Sequence, residues 1–285
     1  MTARKIPLRT LSALVMLVIV AIACVLLGRW QLHRAAEREA LMARIEAGRS
    51  ATPVVLSADT PTQTLQPWRK AQATGVWRND LTVLLDNRNH DGRPGYWVAT
   101  PLQLTSSETS SNANSTAPVL LVLRGWVARP IGPNQALPPL DGPQGTQTIV
   151  GEIQTHVPRL FDLGALTGSK SGGLPKDFGK AVNPAAASAN AAAEPPSVQN
   201  LSLADMETST GLKYLPVVLQ QTASETHGNG TPLVQDWALP QVNADTNRGY
   251  AVQWFAFACI AIVAWLVIVW RVIVWRVWRR PKVQA

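Results

Sequence analysis

Arg248-Gly249-Tyr250-Ala251-Val252-Gln253-Trp254-Phe255 opens the apolar run on which the architecture turns. No residue from 250 to 270 is charged, and these 21 residues, at a rise of ~1.5 Å each, match the ~30 Å hydrocarbon core of a bilayer. Arg271, Arg276, Arg279, Arg280 and Lys282 follow, with no acid among them. The run therefore reads as a transmembrane helix with a polar, aromatic entry and a strongly basic exit.

A second uncharged run, residues 10–28, follows Arg4, Lys5 and Arg9. The two tails, 1–9 and 271–285, hold eight bases and no acids, which is the whole formal net charge of +8. Residues 29–249 are left with 18 bases and 18 acids. The high pI thus belongs to the tails, where it fits the positive-inside bias and attraction to anionic headgroups. It is not a nucleic-acid footprint, which needs a clustered basic face on the domain itself.

Two spans place both termini on one side. Arg248 before the second span and the five bases after it make that side the cytoplasm, with residues 29–249 outside. The first run is long for the apolar part of a signal peptide, and Val25-Leu26-Leu27 continues it past Ala23-Cys24, so it reads as an uncleaved anchor. No Arg/Ser-rich transit segment precedes it, which favours a bacterial inner membrane. Both cysteines, Cys24 and Cys259, lie in the spans, which excludes a disulfide or thiolate metal site in the domain.

Residues 29–48 lack proline and are rich in helix formers, predicting a helical stalk that stops at Gly48. Residues 49–249 form the domain, in which 53–67 reads as irregular. Strands are predicted at 71–77 and 81–86, as a hairpin around Arg78-Asn79-Asp80, and at 96–104, 119–127, 146–157 and 212–222. Ser202 is the N-cap of a short helix, with Asp205 three residues on. Two low-complexity stretches, 105–117 and 164–200, have too few large apolar side chains to offset ordering entropy and read as loops or disordered inserts. The expected fold is a membrane protein with N- and C-terminal transmembrane helices flanking one extracytoplasmic β-rich α+β domain. About 150 ordered residues are enough for a real core.

No catalytic signature stands out. His33, His90, His156 and His227 are scattered without ligand spacing, and there is no nucleophile elbow, phosphate loop or carboxylate pair. Asp86 next to Arg88 reads as a structural ion pair. Glycines, prolines and tryptophans of Gly92–Leu102 and Arg124-Gly125-Trp126 read first as turn and core residues. At the membrane boundary, Trp30-Gln31 follows the first span and Gln253-Trp254 opens the second. The aromatics suit interfacial anchoring, whereas Gln253 inside an apolar run should face the partner helix or a bound group.

In order along the chain stand Gly28-Arg29-Trp30-Gln31 with Arg34, Gly75-Val76-Trp77, Asp86-Asn87-Arg88, Gly92–Leu102, Arg124-Gly125-Trp126 and Gly249–Phe255. Together they resemble the surfeit locus protein 1 family of cytochrome c oxidase assembly factors. The resemblance implies a non-enzymatic factor, without catalytic or resident metal-binding residues, that assists haem a insertion into the catalytic subunit of the oxidase. It implies that subunit and the lipid bilayer as partners, and admits haem a synthase as another. The implied haem surface comprises Trp30, Gln31, His33, Tyr250, Gln253 and Trp254, with Arg29 or Arg248 near the propionates.

The family usually carries a histidine two residues before the Gly-Tyr pair, the candidate axial ligand. Here that residue is Asn247, and asparagine is not a normal haem-iron ligand. His33 is the substitute within the same surface. The alternative is a scaffold that holds an oxidase subunit by helix packing through Gly28, Ala256, Ala258 and Ala261 without touching haem. A two-span sensor fails, because tails of nine and fifteen residues hold no output domain.

Overall fold

The computed structural model describes residues 7–105, 118–130, 136–161, 173–175, 178–179, 194–222, 233–237 and 243–278, with side chains in the last segment through 274. The expectations for the outer tail residues, for most of both low-complexity stretches and for His227 fall outside the described residues. The chain divides into two units, residues 1–44 with 240–285, and Ile45–Leu239.

The first unit is a pair of long helices. α1 runs unbroken from Leu8 to Ser50, through the first span and the stalk, ending two residues after the expected stop at Gly48. α3 runs from Asp245 to Trp278. Both are long and apolar enough to cross a membrane. They run antiparallel: Arg38 Nη1 donates to the Asn243 carbonyl (2.7 Å), Asn247 bonds Gln31, and Gly28 lies against Phe255.

The second unit is a β domain. Its strands are β1 (Val54–Leu56), β2 (Lys70–Trp77), β3 (Val83–His90), β4 (Arg93–Leu104), β5 (Val119–Ala128), β6 (Thr146–Gln154), β7 (Ser197–Val198) and β8 (Tyr214–Gln221). The order is β1-β2-β6-β8-β5-β4-β3-β7, and β2 also pairs with β4. That last pairing, Gly75–Trp77 against Leu102–Leu104, closes β2, β6, β8, β5 and β4 into a barrel. Closure is possible because strands share edges. β4 gives its first half to β3 and its last residues to β2, and β1 takes the stretch of β2 that β4 leaves.

Alternation along β2 shows why this sequence makes a barrel wall. Ala71, Ala73, Gly75 and Trp77 point in, and Lys70, Gln72 and Val76 point out. β5 is buried on both faces along nearly its whole length. Leu120 and Val122 fill the barrel beside Leu102, Ile149, Ile153 and Leu219. On the other face Val119, Leu121 and Leu123 meet Val218, Val198 and Met206. Met206 comes from α2, Leu203–Thr210, whose Ser202 and Asp205 form the expected capping box and whose C-terminus is closed by Gly211 at φ 69°. The last turn of α1 also belongs here, with Ile45 buried and Arg49 gripping Glu152 through two bonds of 2.9 and 3.1 Å.

Three expectations are corrected. Strands β2 and β3 form no hairpin: a 3-10 turn, Asn79–Leu81, sends the chain to a different neighbour. The tight hairpin is β3–β4, turned by Asp91 and Gly92, both at positive φ (48° and 74°), the geometry that matches strand twist. The stretch 53–67 is not wholly irregular, since β1 pairs parallel to β2. The end of the second low-complexity stretch is ordered: Ser197–Val198 pairs with Leu84–Leu85, and Val198 is buried. Apolar Val198 supplies the burial that the Ala/Ser-rich part lacks.

Candidate functional site

In the helix pair, residues withdrawn from the surface of α1 recur at alternating spacings of four and three: Thr10, Leu14, Leu17, Ala21, Cys24, Gly28, Gln31, Ala35 and Arg38. On α3 the matching series is Asn247, Ala251, Trp254, Ala258, Ala261, Trp265 and Ile268. This is the heptad seam of a coiled coil, with small residues facing large ones. A Cβ placed on Gly28 would sit 2.7 to 3.0 Å from three carbons of the Phe255 ring, so the aromatic fills the space that glycine leaves.

The six residues of the implied haem surface divide on this frame. Gln31 is in the seam, half-buried, and its Oε1 accepts a hydrogen bond from the buried Asn247 Nδ2 at 3.0 Å. Trp254 is half-buried in the seam series of α3 and meets Phe257 edge-on, with ring centroids 6.0 Å apart. Trp30 and Tyr250 are outside, 55% and 50% exposed. Gln253 is also exposed, so it does not face the partner helix as its polarity suggested. A lone amide has less to gain in a seam where α1 opposes it with small apolar side chains. The His33 side chain is 75% exposed and lies 3.3 Å from Glu37. The structure thus joins Gln31 to Asn247 and leaves His33 apart from both.

Sequence reasoning missed Asn247 as a partner of Gln31, although both are polar residues at seam spacing. Arg248 is engaged by Glu39 and Asp245. Arg29 is exposed.

In the β domain the turn and tryptophan motifs read from the sequence gather on the β3–β4–β5 meander. Arg88 is 5% exposed; it stacks 4.4 Å over Trp97 and donates to the carbonyls of Pro158 (2.8 Å) and Gln199 (3.3 Å). Burial without a carboxylate partner lowers its pKa to about 10. Asp86 pairs not with Arg88 but with Arg129, at 2.6 Å, and Arg129 Nε also donates to the Tyr96 hydroxyl at 2.8 Å. The Tyr96 hydrogen bond, with the nearby Asp86 charge, raises the Arg129 pKa. A bulge between Leu85 and Arg88, with Asn87 at φ 60°, breaks the alternation that would have set Asp86 and Arg88 side by side. Among the described residues no three His, Cys, Asp or Glu side chains gather as a metal site. The cluster holds strands and segment ends together.

The fold and its helix pair define a class: a membrane protein whose two spans flank a closed β-barrel domain. The chain matches the SURF1 family model over residues 18–259 and belongs to that family. The family is associated with membranes and with cytochrome c oxidase assembly. No curated protein matches the chain.

Proposed function

We propose that this chain is a non-enzymatic assembly factor that assists haem a insertion into the catalytic subunit of cytochrome c oxidase. It works from a bacterial inner membrane, with both termini cytoplasmic and the barrel periplasmic. The observation that carries this reading is the exposed aromatic pair at the entry to the spans, Trp30 and Tyr250, within a member of an oxidase assembly family. Haem a is a broad apolar ring that suits exposed indole and phenol faces at the membrane boundary, and the free Arg29 suits a propionate. A haem enclosed between the helices does not fit, because Phe255 occupies the seam at Gly28. Asn247 and Gln31 bond each other, and neither is an iron ligand of the usual kinds. The residues present therefore fit the open face of a carrier and no enclosed pocket, and the oxidase subunit and haem a synthase are the partners on either side of the transfer.

Protein purified from haem a-producing cells is scanned for bound haem, with His33→Ala alongside. A haem a spectrum in the wild type is expected. Its absence sinks the carrier reading, and an unchanged spectrum in the variant clears His33 of a ligand role.

The second reading, a scaffold that packs helices against an oxidase subunit, is weakened by one observation. Gly28, Ala258 and Ala261, the small residues that motivated it, are buried in the chain's own seam, leaving only Ala256 exposed. Co-purification of the subunit with haem-free protein would restore it.

A further inference from the structure

We propose that Gln31 and Asn247 key the two spans into one closed register, so that whatever the helix pair binds is taken on its outer side and never between the helices. Along the first span every seam residue after Thr10 is apolar or small: Leu14, Leu17, Ala21, Cys24 and Gly28. An apolar seam of this kind is permissive, because sliding one helix by a heptad replaces one apolar contact with another. Gln31 and Asn247 break the degeneracy. Asn247 is buried, and its amide is satisfied by the Gln31 carbonyl at 3.0 Å. One heptad toward the N-terminus of α1 that buried amide would face Cys24 and lose its partner, and one heptad the other way it would face Arg38, whose side chain holds only donors and cannot satisfy an N–H, so either slip is penalised.

The same register closes the seam. It sets Phe255 over Gly28, where a Cβ would come within 2.7 Å of the ring, and buries Ala251 and Ala258 almost completely. Two flanking contacts agree with it, Arg248 with Glu39 and Arg38 with the Asn243 carbonyl, but both are exposed, and exposed pairs add little. Gln31 and Asn247 are thus positioning residues. They hold the exposed Trp30 and Tyr250 in fixed relation on the two helices. The outer-side clause rests on the haem a reading above, and the register clause does not.

The test uses full-length protein in membranes, in a Cys24→Ala, Cys259→Ala background. Gly28→Cys with Phe255→Cys, a seam pair that leaves the key intact, is treated with a short bis-methanethiosulfonate cross-linker, alone and with Gln31→Leu and Asn247→Leu added. Loss of the key is expected to lower the cross-linking several-fold. Equal cross-linking with and without the key overturns the keyed register. The Gly28/Phe255 pair is then cross-linked in protein made without haem a, supplied with haem a, and compared with its untreated form by absorption. Equal haem uptake is expected. Uptake lost only on cross-linking overturns the outer-side clause. No uptake by either form overturns the proposed function and that clause with it, and the register result stands on its own data.

Discussion

The Trp126 indole nitrogen donates to the backbone carbonyl of Arg88 at 2.6 Å, reaching from β5 to β3 across the intervening β4. It can do so because the residue it crosses, Gly95, has no side chain: a Cβ there would lie 2.4 Å from Trp126 Cε2 and 2.3 Å from the Val127 carbonyl. Gly95→Ala is therefore expected to destabilise the β domain by about 1–3 kcal/mol, the usual range for overpacking. Thermal unfolding of the detergent-solubilised protein checks this, and an unchanged midpoint would mean that the indole can move aside freely.

Arg88→Lys tests a different property of the same cluster. The lysine keeps the charge but loses the planar group that stacks on Trp97 and reaches both Pro158 and Gln199. A hydrogen bond to a charged group is worth about 1.5–3 kcal/mol, and the lysine can keep one of the two, so a loss of about 1.5–3 kcal/mol is expected. Those two carbonyls lie on segments far apart in sequence, so limited proteolysis should cut faster near residues 158 and 199. Equal cleavage rates in both proteins would count against the clamp.

For α2, burial and capping make separable contributions. Met206 is fully buried under β5, and Met206→Ala should cost about 2–5 kcal/mol. Ser202→Ala removes the acceptor for the Asp205 amide and should cost about 0.5–2 kcal/mol. Chemical denaturation of the two variants should rank them in that order, and a reversed ranking would place the weight of α2 on its cap.

In the helix pair, Gly28→Leu drives a side chain into the Phe255 ring. The closed seam should open, and cross-linking between Glu39→Cys and Arg248→Cys, which leaves Gln31 and Asn247 in place, should fall several-fold. Adding Phe255→Ala to the same protein should restore it by returning the space.

Local pattern explains what could be read from the chain. The spans, the capping box at Ser202 and strands β4, β5, β6 and β8 are each written in adjacent residues, as apolar runs, cap residues or alternation. Barrel closure is written in no single stretch, since Gly75–Trp77 meets Leu102–Leu104 only after β3 and the β4 hairpin have intervened. In a regular strand residues two apart share a face, which would set Asp86 beside Arg88, and the bulge at Asn87 undoes that rule. The heptad seam was hidden for another reason. When nearly every residue of a span is apolar, the buried stripe has no contrast with the lipid-facing one, and only Gln31 and Asn247 mark it.

Asn200 binds the Leu160 backbone at both ends, accepting from its N–H at 2.8 Å and donating to its carbonyl at 3.0 Å. Residues 160 and 200 are thereby held side by side. Loop-closure entropy rises by only about 0.6 kcal/mol for each doubling of length, so a segment tied at its ends in this way accepts an insertion cheaply. A reporter enzyme spliced between residues 183 and 190 would leave Leu174 and Phe178, which pack on the core, in place. Its activity in one compartment and silence in the other would assign the barrel to a side of the membrane in a living cell.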